Sequence, residues 1–296
     1  MSEIKLLIKK GWKFISEKTM NNHEMHDFNY DEFIQIKDTI SNKTFLMFLR
    51  KDSYLEREFL QNGLYGSWEK ESLKIWAELS KRANYILDVG ANTGVYSLIA
   101  KSLNPSANVF AIEPVDVNFE VLKKNITKNK FDIIAEKCAM SGEEGTARMF
   151  ILKDQLNYMS SVNDNRYVKH PEITGQSEVV AIDVSLKTYA YLQEKYKIPE
   201  IDLIKIDVEG YEIEVIKGMY DVIMRDKPNI LIEVMGDENA LVLNEMFHEI
   251  GYKYISIDEI SKACIVDKLW DNDHHNFLIC NEDTIHFLQG KNLVQS

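Results

Sequence analysis

The sequence predicts an α/β fold: a mostly parallel seven-stranded sheet with helices on both faces and an antiparallel last strand, preceded by a mixed N-terminal extension. Three observations predict it. From Asn84 onward, short apolar runs alternate with helical stretches, as parallel strands with crossover helices do. The runs are flanked by turn residues or a helix, the pattern of strands covered on both faces. The last two runs have no clear helix between them, which suits an antiparallel addition.

The extension covers residues 1–67. In Met1–Lys18, Ile4, Leu7, Ile8, Trp12 and Ile15 share one side at helical spacing and Lys9, Lys10 and Lys13 lie opposite, which predicts a basic amphipathic helix. The favoured role is docking on its own domain or on a second copy in a homodimer. Contact with an anionic membrane surface is the less favoured alternative. A polar stretch around Asn21–Asp31 and a strand at Thr44–Arg50 follow.

A single domain is expected over 68–296. A helix from about Trp68 to Arg82 starts after Ser67, a natural N-cap. Strands are expected at Tyr85–Val89, Asn108–Ile112, Ile133–Cys138, Asp202–Ile206, Asn229–Val234, Tyr252–Ile257 and Asn276–Cys280. Helices are expected at Thr93–Leu103, Val117–Asn129, Glu212–Arg225 and Glu238–Ile250, with Pro228 stopping the third. Ala147–Leu152 and Glu178–Ile182 read as extra strands around a polar insertion, 153–177. Its Tyr158, Arg166, Tyr167 and His170 would suit a lid over a sugar.

Composition narrows the partners. The 296 residues carry a formal net charge of −12, with acids spread along the whole chain. A nucleic-acid surface needs a basic excess, so that class is excluded. Cys138, Cys264 and Cys280 form no CxxC pair and read as reduced thiols of a cytoplasmic protein. No stretch reaches the roughly 18 apolar residues of a membrane span, and Met1–Lys18 lacks the apolar core and cleavage site of a signal peptide.

The chemistry concentrates in Ile86-Leu-Asp88-Val-Gly90-Ala-Asn92-Thr-Gly94, with Glu113 closing the next strand. A buried strand, a glycine turn and a helix start present backbone to a nucleoside-type ligand, and the second acid holds its ribose. The glycines permit close approach, and Asn92 tolerates a left-handed backbone. The turn lacks the G-x-G-x-x-G spacing of dinucleotide sites. Register adds a second argument. Asp88, Glu113, Asp207 and Glu233 end four parallel strands and should line one sheet edge, with Glu209 beside them. A negative rim suits a sulfonium cation and a ribose diol and repels a pyrophosphate.

These blocks, with Ile112-Glu113-Pro114, Lys217-Gly218, Asn276-Phe277-Leu278 and above all Lys205-Ile-Asp207-Val-Glu209-Gly210, resemble the FkbM-type family of S-adenosylmethionine-dependent methyltransferases. The blocks fall in family order from about Asn62 to Cys280. The resemblance implies a Rossmann-like class I methyltransferase fold and O-methylation of a hydroxyl on a sugar, glycan precursor or related metabolite. It also implies S-adenosyl-L-methionine as cofactor and S-adenosyl-L-homocysteine as product. By position, Gly90, Asn92 and Gly94 would cradle the methionine moiety with Asp88 behind them. Glu113 would take the ribose hydroxyls, Ala139-Met140-Ser141 would border the adenine, and Asp207 and Glu209 would sit at the reaction centre. The first 60 residues and 153–177 lie outside the resemblance, and acceptor choice is expected there.

Methyl transfer to an alcohol gains roughly 10²–10⁴-fold from a positioned base. Asp207 or Glu209 is the first choice, and His275, beside His274, is a further candidate. Lys205 should pair with a neighbouring acid, Glu233 should be a second acid or that partner, and Glu212 should open the following helix. A divalent metal shared by Asp207, Glu209 and Glu233 is possible chemistry but not the favoured one. N- or carboxyl-methylation is the alternative on the same fold. A non-catalytic scaffold and a nucleotide-dependent oxidoreductase are less favoured.

Overall fold

The computed structural model describes residues 31–51, 53–152, 160–161, 179–248, 250–272 and 275–295, and the strand backbones of Glu3–Ile8 and Gly11–Ser16. The first correction comes at once. Where a basic amphipathic helix was expected, Glu3–Ile8 (β1) and Gly11–Ser16 (β2) pair antiparallel. They join Glu32–Lys37 (β3) and Thr44–Leu49 (β4) in a sheet ordered β2-β1-β3-β4. The segment carries two periods at once. Ile4, Leu6 and Ile8 also alternate at strand spacing, the residues are rich in Ile, Trp and Phe, and Gly11 interrupts any helix. The helix on which membrane contact or helix-mediated pairing would rest is therefore replaced by a sheet.

Leu55–Asn62 (α1), which the sequence did not announce, leads to Lys70–Ser80 (α2). Ser67 does not cap α2; its hydroxyl donates to Glu58. Glu69 occupies the cap position in a left-handed backbone, φ 42°. The free amides of α2 are met from far along the chain: Glu259 accepts from Glu71 N at 2.7 Å and Ser72 N at 3.3 Å. Trp76 of α2 is fully buried, which contributes roughly 2–3 kcal/mol. Its indole donates to Tyr96 O at 2.9 Å.

The main sheet follows the expected alternation. Its parallel strands Tyr85–Val89 (β5), Asn108–Ile112 (β6), Ile133–Glu136 (β7), Leu203–Ile206 (β12) and Asn229–Glu233 (β13) lie between Val95–Leu103 (α3), Asp116–Asn129 (α4), Glu212–Asp226 (α6) and Asp237–His248 (α7). Lys253–Ser256 (β14) and Asn276–Cys280 (β16) complete the seven strands, and β16 runs antiparallel between β13 and β14. Two short edge strands, Ala263–Val266 (β15) and Val294–Gln295 (β17), extend the order to β17-β15-β14-β16-β13-β12-β5-β6-β7. Ala139–Met140 (β8), Gly145–Leu152 (β9), Ser160–Ser161 (β10) and Val179–Lys187 (β11) form a separate small sheet. Tyr189–Tyr196 (α5) and Glu282–Gly290 (α8) are the other helices the sequence reading missed. The lid residues Tyr158, Arg166, Tyr167 and His170 lie outside the described residues, as does His274. Among the described residues, no helix is long and apolar enough to cross a membrane.

Strand parity then places the chemistry. Side chains alternate between the two faces. Ile86, Leu203, Leu231 and Leu278 pack into the cluster that holds α2 and α3, whereas Leu87, Ile204, Ile206 and Ile232 pack against α6 and α7. Counting on by two from the first set reaches Asp88, Lys205, Asp207, Glu233 and, backward along β16, Asn276. Lys205 is paired in register with Asp88, and Asn276 with Glu233. One face of the sheet thus carries the polar residues to its edge beneath the start of α2.

Candidate active site

At that edge lies a cavity of about 300 Å³. Asp88, Gly90, Asn92, Glu113, Ala139, Asp207 and Glu209 all line it, as do Glu69, Tyr96, Lys205 and Glu233. Its walls come from two constructions.

The first is the turn after β5. Gly90 N and Ala91 N both donate to Ile112 O, at 3.0 and 2.9 Å, folding the turn over the end of β6. Gly90 has φ +80°, and a Cβ there would lie 1.8 Å from Asp207 O, so no other residue fits. Asn92, at φ 51°, donates its amide to Glu113 Oε2 at 2.8 Å. Val115 N reaches the other oxygen at 2.9 Å. Burial pushes the Glu113 carboxyl up to about 7 although both amides favour its charge. Behind the turn, Asp88 accepts from Ser97 N at 3.0 Å and Ser97 Oγ at 2.6 Å, and burial raises it to about 6. Gly94 does not line the cavity. It starts α3 at φ +96°, where a Cβ would meet Leu122 Cδ1 at 2.4 Å. Ala139 contributes with Cys138 and Met140, and Met149 of the small sheet closes that wall.

The second construction gathers distant segments. Lys205 is fully buried on β12, with its ammonium 3.2 Å from Asp207 Oδ2 and 5.0 Å from the Tyr96 ring centre. Burial alone would lower its pKa; Asp207, Glu69 and Glu233 outweigh that and hold it above the ordinary lysine value. The expected ion pair of Lys205 is therefore with Asp207. Beyond it, Glu209 (φ 56°) and Gly210 (φ 99°) turn the chain. Glu212 fixes that turn by accepting from Val208 N at 3.3 Å and Gly210 N at 3.0 Å. Opening α6 is thus only half of its role. Glu233 Oε2 is buried with no hydrogen-bond partner among the described residues. Burial, then the charges of Asp207 and Glu209, keep its carboxyl well above the usual range.

The sequence reading did not find Glu69, Trp68 or Tyr96, which complete this wall. Tyr96 OH donates to Glu69, and Asn276 Nδ2 donates to Glu69 Oε1 at 3.2 Å. No local motif marks Glu69; only the parity of Asn276 and the position of α2 bring it to the edge. His275 is a correction. It lies one residue out of register with Asn276 and is not among the lining residues. It sits in a left-handed turn, φ 58°, its amide donating to Asn272 Oδ1 at 2.7 Å and its carbonyl accepting from Val234 N at 2.7 Å.

Six of the lining side chains are acidic and one, Lys205, is basic. Such a chamber attracts cations and hydroxyl groups and repels phosphate. Carboxylate oxygens of Asp207, Glu209 and Glu233 lie within 4.8 Å of one another, close enough to share an ion. The Lys205 ammonium already supplies positive charge beside them.

The model of the methyltransferase FkbM domain matches residues 88–254. Methyltransferase sdnD of Sordaria araneosa is 29% identical over 169 residues, 50% of this chain and 65% of that protein. The 31-O-demethyl-FK506 methyltransferase FkbM of Streptomyces tacrolimicus is 25% identical over 220 residues, 66% of this chain and 76% of its own. The hexuronic acid methyltransferase AglP of Haloferax volcanii is 26% identical over 151 residues, 51% and 56%. The alignments with sdnD and AglP thus span less than two thirds of those relatives. The family match covers more than half of the 296 residues and takes in the Gly90–Glu113 turn and the Lys205–Glu233 part of the second wall, though not Glu69 or Asn276. On that match, the chain belongs to the FkbM methyltransferase family.

Proposed function

We propose that this protein is an S-adenosylmethionine-dependent methyltransferase that methylates a hydroxyl oxygen of a sugar, glycan precursor or related metabolite. The observation that carries the proposal is the junction of a turn-and-acid ligand site, Gly90–Asn92 with Glu113, and a carboxylate-rich chamber in one cavity. The name of one relative specifies an O-demethyl acceptor and that of another a sugar acid, which supports oxygen as the methylated atom. Six acids against one ammonium favour an uncharged acceptor over an anionic one in this chain.

The bound cofactor would supply an activated methyl group on sulfonium. The residues supply the rest. Glu113 accepts one backbone amide on each oxygen and a further bond from the Asn118 side chain, which leaves it acceptor capacity for a ribose hydroxyl. Gly90 lets the backbone approach closely, and Ala139 with Met140 borders the adenine. Asp207 and Glu209 place negative charge beside the methyl position, and Lys205 fixes Asp207. A carboxylate in the chamber takes the acceptor proton. Alignment of acceptor and methyl group contributes several kcal/mol, of the roughly 7–11 available to such positioning.

Calorimetric titration with S-adenosylmethionine, S-adenosylhomocysteine and NAD⁺ tests the reading. Micromolar binding of both sulfur ligands with none of NAD⁺ is expected. Binding of NAD⁺ alone would overturn it.

A further inference from the structure

Glu69 belongs neither to the matched family segment, which begins at residue 88, nor to any motif in the sequence. Its place is nonetheless over-determined. It adopts φ 42° at the cap of α2, a left-handed backbone that a non-glycine residue holds only when its surroundings enforce it. Three elements do so. Tyr96 of α3 donates its hydroxyl to one carboxylate oxygen, Asn276 of β16 donates its amide to the other, and Glu259 holds the first amides of α2. The result is a carboxylate in the wall of the cavity, beside the Lys205–Asp207 pair.

We propose that Glu69 is the base that takes the proton from the acceptor hydroxyl. The proposal rests on the methyltransferase reading above. Asp207 is ion-paired with the Lys205 ammonium at 3.2 Å, whereas Glu69 is held by two neutral donors, which leave each of its oxygens a lone pair. In the step, the acceptor oxygen forms its bond to the methyl carbon as the carbon–sulfur bond breaks with its electron pair kept on sulfur. The hydroxyl proton passes to Glu69, leaving a methyl ether and a neutral thioether. Burial, opposed by Lys205 and reinforced by Asp207, pushes Glu69 up to about 7, where a general base works best near neutral pH. The charged or titratable groups facing it are Lys205 and Asp207 from β12 and its loop, Tyr96 from α3 and Glu259 from the loop after β14.

Placed at the transfer axis, the Glu69 carboxylate must feel the sulfonium. Titrations of S-adenosylmethionine and of its neutral product at pH 6 and pH 8 read this without any acceptor. A cation about 4–6 Å away lowers a carboxyl by about one unit or more. Wild-type preference for the sulfonium over the thioether should therefore rise roughly fivefold from pH 6 to pH 8, and Glu69→Gln should remove that rise while binding both ligands. Other acids also titrate in this range, so the difference between the two proteins is the readout. An equal rise in both proteins overturns the proposal; failure of the wild type to bind either ligand overturns the methyltransferase reading instead. Tyr96→Phe is the second variant, decisive if Glu69→Gln does not fold. Losing the donor to the carboxylate should move the midpoint of the rise upward, and an unmoved midpoint counts against Glu69. With labelled S-adenosylmethionine and neutral methyl pyranosides as probes, any product the wild type makes should form roughly 10²-fold more slowly with Glu69→Gln, with the KM for S-adenosylmethionine changed less than about threefold. A loss in KM alone would assign Glu69 to packing.

Discussion

The two halves of the cavity are built in opposite ways. On the Gly90–Glu113 side, consecutive residues fold over the ends of two neighbouring strands, and the acids are held by backbone amides and by the side chains of Ser97 and Asn118 from the helices that follow. On the Glu69–Lys205 side, one local pair, Lys205–Asp207, is met by long-range partners: α2, α3, β12, β13 and β16 each send one or two side chains to a common point. The first half is specified by spacing. The second is specified by assembly, and its acids are balanced by a single buried ammonium.

That difference can be broken at Gly90. A Cβ 1.8 Å from Asp207 O, at φ +80°, leaves no relaxed solution. Gly90→Ala should cost about 3 kcal/mol or more from strain and overlap together, measured as a fall in the urea midpoint with unchanged slope. It should also abolish binding of S-adenosylmethionine in calorimetry.

Glu113 sharpens the comparison through pH. Its folded pKa, about 7, lies above the ordinary 4.5 because of burial. The native state therefore holds a proton that the unfolded chain has released, and stability falls as pH rises from about 4.5 to 7 and is flat above. On the order of 1–3 kcal/mol is involved for a group this buried, only 3% exposed. Glu113→Gln should flatten the urea midpoint between pH 5 and pH 7.5; an unchanged pH slope would mean that Glu113 is already ionised at pH 5. The same variant should bind S-adenosylmethionine roughly 10-fold or more weakly, through loss of charge-assisted acceptors.

The assembled half should yield smaller effects on stability. Glu259→Gln weakens a cap on two amides of α2, about 1 kcal/mol by thermal or urea unfolding. Asn276→Ala removes one donor to Glu69, about 1 kcal/mol. Turnover with any accepted pyranoside should fall in both variants while binding of S-adenosylmethionine stays within about twofold. A loss of cofactor affinity as large as the loss of turnover would erase the distinction between the halves.

The same distinction explains what was legible in the sequence. Tyr85–Val89, Asn108–Ile112 and Asn276–Cys280 appear with the expected bounds, because strands buried on both faces of the sheet are short, apolar and punctuated. Asp88, Gly90, Asn92, Glu113, Ala139, Asp207 and Glu209 share the cavity because the ends of parallel strands meet at one edge. Glu69 was invisible, since a lone acid ahead of a helix looks like a solvated cap. His275 failed by one residue of strand register, a margin that apolar patterning outside the strand cannot resolve. The start of the chain failed for a different reason: Ile4–Ile15 satisfies helical and strand periods together, and pairing with β3 decides between them.

The cap on α2 also sets an order of assembly. Glu71 and Glu259 are 188 residues apart in sequence, and Glu69 and Asn276 are 207 apart. The Gly90 turn can close on Glu113 without the last fifth of the polypeptide, because its partners lie within residues 90–115. The wall bearing Glu69 cannot close until that fifth has paired, because its contacts span 188 and 207 residues and contacts of high sequence separation form slowly. The contacts of the Gly90 turn are thus complete in sequence by residue 115, whereas the wall bearing Glu69 waits for Asn276.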